Sequence, residues 1–138
     1  MTNTNARKKT TDLIHAAFVA AGLKDGVALS AEQLKTTADI TFWRTGSTGA
    51  STRATYVTYS IAGTDAAVRG DDKTLLRENT VAIDVFSKSS FESKTNAQLL
   101  ASIETALAVA GFEVEFEPEQ YENDTTLYHQ PITAFKIF

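Results

Sequence analysis

Three stretches of this 138-residue chain place apolar side chains at every second position, a pattern that constrains the fold more than any single residue does. Successive side chains of an extended strand point to opposite faces, so each stretch buries one face and wets the other. Ala54 to Ala62 sets Val57, Tyr59 and Ile61 against Tyr56, Thr58 and Ser60. Asn79 to Ser87 sets Val81, Ile83 and Val85 against Ala82, Asp84 and Phe86. Phe112 to Glu117 sets Phe112, Val114 and Phe116 against Glu113, Glu115 and Glu117. Ile40 to Arg44 reads as a short strand and Leu127 to Phe138 as a last one, with Pro131 confining at least its start to a sheet edge or a bulge.

Two segments carry a helical period instead. From about Ala6 to Ala21, residues Ile14, Ala17, Phe18 and Ala21 form one stripe; from Asn96 to Ala110, Leu100, Ile103, Leu107 and Ala110 form another, with Ser93 or Thr95 as N-cap. Each ends at a glycine followed by an apolar residue, Gly22-Leu23 and Gly111-Phe112, which suits a left-handed stop with the apolar residue folded back on Phe18 or Leu107. The order of elements predicts an α+β domain over 1–138: a mostly antiparallel sheet of four to five strands with two helices packed on one face. Flexible loops are expected near 45–53, which is rich in glycine, serine and threonine, and over 63–78, a long charged connection between two strands.

Composition narrows the function. With 43% hydrophobic and 22% charged residues the chain is neither disordered nor a membrane protein, and no run reaches the ~18–20 apolar residues of a membrane span. No cysteine is present and only two histidines, so thiolate and imidazole metal sites lack material and no cofactor is expected. Residues 1–70 hold 8 Lys and Arg against 5 Asp and Glu, and residues 71–138 hold 5 against 12. Such an acidic chain is a poor phosphate binder, and the polar start up to Thr10 points to an intracellular product.

No motif carries catalysis. Gly46-Ser47-Thr48-Gly49 lacks the strand-to-helix context of a phosphate loop. Asp84 and His129 with Ser87 or Ser89 form a triad only on paper, His15 and the Tyr128-His129 pair read better as boundary positions, and Arg7-Lys8-Lys9 reads as a solvated helix start. Arg69-Gly70-Asp71 reads as a turn and Asn123-Asp124-Thr125 as a chance match to a glycosylation acceptor. Glu113 to Asp124 carries six carboxylates and no base; alternate strand positions lie ~6.6–7 Å apart, too far for Glu113, Glu115 and Glu117 all to ligate one ion. They are expected to face solvent or a lumen that repels DNA. Leu75-Leu76 inside the charged connection, and the last strand from Ile132 to Phe138 with apolar residues on both faces, point to assembly. The expected interface comprises Arg69, Asp71, Asp72, Lys73, Leu75, Leu76, Arg77, Ile132, Phe135, Ile137 and Phe138.

The N-terminal helix, Tyr56-Val57-Thr58-Tyr59, the charged connection, Val81 to Lys88 (VAIDVFSK), the helix Asn96 to Ala110 with Gly111-Phe112, and Tyr121 to His129 (YENDTTLYH) follow one another in a known order. Together they resemble the tail terminator (tail completion) proteins of long-tailed bacteriophages; Gly26 to Arg53 is longer than that family's linkers. The resemblance implies a homo-hexameric ring that caps the tail tube, stops its polymerisation and offers a surface for joining the head. Its partners would be other copies of the chain, the tail tube protein and a head-completion (connector) protein, with DNA passing without specific binding. The place would be the tail–neck junction of a virion assembled in the host cytoplasm, with no enzyme activity, no cofactor and no membrane. Other phage neck proteins, a small ligand-binding α+β domain and a nucleic-acid-binding module are the alternatives.

Overall fold

Gly22 and Gly111 sit at φ 91° in the left-handed region, where a side chain would be strained. At each, the glycine amide bonds the carbonyl three residues back and the following amide reaches five back: Leu23 to Phe18 and Phe112 to Leu107, both at 3.0 Å. These stops end α1 (Asn3–Ala20) and α3 (Lys94–Val109). Ser93 caps α3, accepting from the Asn96 amide, and Thr2 caps α1 in the same way.

The structure, a computed structural model, describes residues 2–47, 54–71 and 73–138. Besides the two long helices it contains β1 (Lys24–Asp25), one 3-10 turn (Gly26–Ala28), α2 (Ala31–Thr36), β2 (Thr41–Arg44), β3 (Thr55–Gly70), β4 (Lys73–Ser87), β5 (Glu113–Phe116), β6 (Gln120–Glu122) and β7 (Leu127–Ile137). The class is α+β. The sheet is larger than the sequence suggests and mixed: its seven strands run β1-β2-β3-β4-β7-β5, with β6 also on β7. β1, β2 and β3 are mutually parallel and the remaining pairings antiparallel. β1 and β6 have only two and three residues, too few to leave a period in the sequence.

One face of the sheet carries α1 and α3. Ile14 and Phe18 of α1 and Leu99, Ile103 and Leu107 of α3 close over Val57, Tyr59, Ile61, Val81, Ile83, Val85, Ile132 and Ala134. Fully burying one such aliphatic or aromatic side chain stabilises by roughly 1.5–3 kcal/mol. The far face holds a smaller cluster of Trp43, Tyr56 and Leu127, with Leu34 of α2 and Phe86 against it. Gly26 makes that cluster possible, because a Cβ there would stand 2.2 Å from the Trp43 ring.

Two expectations need correction. Residues 63–78 are no long loop: Gly63 to Gly70 and Lys73 to Glu78 are strand residues of the β3–β4 hairpin, with Gly63 opposite Thr80 and Gly70 opposite Lys73. The last strand is no sheet edge, because β4 pairs with one side of β7 and β5 and β6 with the other. Pro131 is tolerated there because it faces the gap between β5 and β6. Its carbonyl accepts from the Glu117 amide at 3.2 Å, and the Glu117 carbonyl, which a backbone N–H at 131 would serve, accepts from Gln130 Nε2 at 2.6 Å. The expected loop at 45–53 falls largely on residues 48–53, outside the described residues.

Candidate assembly surface

The β3–β4 hairpin outruns the rest of the sheet. Among the described residues β2 pairs with β3 only from Tyr56 to Tyr59, and β7 pairs with β4 only from Glu78 to Ser87. From Ala66 to Gly70 the hairpin is therefore a two-stranded arm, roughly 15 Å long at the usual rise. Its root is tied down: Arg77 and Phe138 exchange backbone hydrogen bonds of 2.9 and 3.0 Å, and Arg77 Nη1 donates to the Thr64 carbonyl at 2.7 Å. Asp71 takes φ 49° at the tip, where the strands reverse in two residues.

The arm carries most of the expected interface. Arg69, Asp71 and Lys73 are exposed around its tip, and Arg77 is half-buried at its root. Asp72 lies outside the described residues. Val68 stands opposite Leu76, at 43% and 40% exposure. Leu75 has no partner in the register between Val68–Leu76 and Arg69–Thr74; it is the extra residue of a bulge, lies across Gly70 and is 54% exposed. A ribbon of two strands is marginal alone in water, and this one leaves three large apolar side chains wet.

The C-terminal part of the interface divides. Ile132 is 1% exposed, locked among the residues beneath the two helices, and is unavailable to any neighbour. Alternation puts Phe135 and Ile137 on the far face, half-buried and 52% exposed. Phe138 is half-buried, with the Lys9 and Lys136 ammonium groups 4.5 and 5.9 Å from its ring. Glu113 and Glu115 lie beside Phe135 and Thr133 on that same far face, whereas Glu117 follows the end of β5; all three are exposed.

On the far face the paper triad is half assembled. His129 Nε2 lies 2.6 Å from Asp84 Oδ1, and His129 Nδ1 lies 3.3 Å from Glu122 Oε1. The imidazole stacks on Phe86 at 4.5 Å between centroids, and Phe86 stacks on Tyr56 at 5.0 Å. Burial pushes the Tyr56 phenol above its ordinary pKa, and the Glu122 carboxylate adds to the rise. No nucleophile joins them from Ser87, which points to the helix side and is held there by Asn96 at 2.9 Å and by Thr55 at 3.0 Å. Glu122 is the member that the sequence reading missed. Its only sign was its place directly before a short turn that returns the chain to His129.

His15 is a boundary residue, 3.2 Å from Asp25 and edge-on to Phe42. Between α1 and α3 runs a shallow groove of about 460 Å³ lined by Ala20, Ala21, Ala101, Ser102, Thr105, Ala106 and Val109. Among the described residues no group of three or more His, Asp or Glu side chains is placed to hold a metal ion, and no helix is long and apolar enough to cross a membrane. Comparison with protein-family models and with curated proteins finds no match to this chain.

Proposed function

We propose that the chain is a structural subunit of a bacteriophage virion, a tail terminator-like protein that assembles into a homo-hexameric ring, caps the tail tube, stops its growth and offers a surface for head joining. It acts without catalysis or cofactor. The observation that carries this reading is the β3–β4 arm, whose Val68, Leu75 and Leu76 stay wet in a single subunit. Covering them returns roughly 1.5–3 kcal/mol for each side chain fully buried. A ring closes through a contact that pairs two different surfaces of one subunit, and an arm that leaves the body of the domain reaches such a second surface. The partners in this reading are further copies of the chain, the tube protein and a head-completion protein at the tail–neck junction, with assembly in the host cytoplasm. Glu113, Glu115 and Glu117 suit a passage through which DNA moves, since like charges repel phosphates.

Native mass spectrometry, with and without tube protein, tests this reading. A six-copy species that caps tubes is the expected result. A twelve-copy ring would assign the chain to the head-side connectors instead. Deleting Asp65 to Lys73 shortens the arm outside the helix-covered core, so the variant should keep its far-UV spectrum and lose ring formation and tube attachment. A deletion variant that assembles and caps normally would overturn the role of the arm.

A further inference from the structure

We propose that Asp84, His129 and Glu122 form a proton-operated clasp that fastens β6 to the sheet. A neutral imidazole has one N–H and one lone pair, while a doubly protonated ring has two donors. Here Nε2 is hydrogen-bonded to Asp84 Oδ1 at 2.6 Å, Nδ1 stands at ion-pair distance, 3.3 Å, from Glu122 Oε1, and an ionised carboxylate has no proton to give. Only the doubly protonated ring satisfies both contacts. With one proton, the ring keeps the shorter bond to Asp84 and turns a lone pair toward Glu122.

The two anchors are not equally free to respond. Asp84 lies in the inner strand β4, paired with Thr58 of β3 on one side and Pro131 of β7 on the other, and cannot withdraw. Glu122 ends a three-residue outer strand, next to a turn in which Thr126 takes φ 56°. Loss of the second proton therefore falls on β6. The groups facing the ring are Asp84 from β4 and Glu122 from β6, with Phe86 stacked on it and the Tyr56 phenol of β3 behind Phe86. Among the described residues neither carboxylate is ion-paired with a second cation, so the proton on His129 is what joins them.

The clasp lies within one subunit, so its test uses the isolated protein and does not depend on assembly. Ring ¹⁵N shifts report the protonation of His129, and amide exchange reports the protection of Gln120 to Glu122, with Val85 in β4 as the internal reference. As the ring loses its second proton, β6 protection should fall about two- to fivefold relative to Val85, the range expected of one partly exposed ion pair. In Glu122→Gln, which changes an edge residue, that dependence should vanish; in His129→Gln, β6 should stay at the loosened level at every pH. A ring carrying one proton while β6 stays fully protected overturns the proposal. So does an equal fall in protection in Glu122→Gln.

Discussion

Gly26 approaches Trp43 so closely that its missing side chain is a structural requirement, and the indole is anchored there by a 2.9 Å bond from Nε1 to Thr41 Oγ1. Gly26→Ala should therefore destabilise the domain by about 1–3 kcal/mol, through displacement of the indole. Urea unfolding measures it. Asn96 is a second such point: its buried amide donates to Ser87 Oγ and to the Ser89 and Ser90 carbonyls, at 2.9, 2.9 and 3.2 Å. Asn96→Ala leaves these acceptors without their donor and should cost about 1–3 kcal/mol, read from the same unfolding curves. The residue scale was unevenly legible in the sequence. Gly22 and Gly111 announced their role through the apolar residue that follows each, because a left-handed stop is local chemistry. Gly26 did not, since its reason is an indole far along the chain. Ile132 was misassigned to an interface because alternation shows that a strand has two faces and not what covers each.

At the scale of elements, the arm was the least legible part. Gly63, Gly70 and the charges between them look like a loop, and bulges at Ala62, Ala67 and Leu75 break the alternation that would have revealed strands. Its pairing comes from the opposite strand, which no local pattern encodes. The arm's leucines touch little of the body, so Leu75→Ser combined with Leu76→Ser should change the melting temperature by only a few degrees, in line with roughly 0.5 kcal/mol per exposed site. The same variant should lose ring formation by native mass spectrometry; a ring of unchanged stability would remove the arm from the interface. The helices α1 and α3, by contrast, could be read to within a few residues, because each buries one stripe against the sheet, whereas the six-residue α2 buries no residue and went unread.

Over the whole molecule, the α+β class followed from the mixture of two periods, while the parallel pairing of β2 with β3 did not. A ten-residue connection between them reads equally well as a hairpin loop, and only the register of Thr41 with Tyr56 decides. Charge follows the architecture: the acidic second half of the sequence supplies β5, β6 and their connections, with no basic residue between Lys94 and Lys136. With a net charge of −4 and this distribution, the protein should leave the gel mobility of duplex DNA unchanged even at low salt, where phosphate contacts would be strongest.

Pro131 has a consequence beyond its own strand. By standing where β5 stops and β6 has not begun, it divides that rim of the sheet into two short steps bearing carboxylates, with no long run of free amides for a stray peptide to copy. Concentrated stocks should thus resist forming fibrillar deposits along this rim.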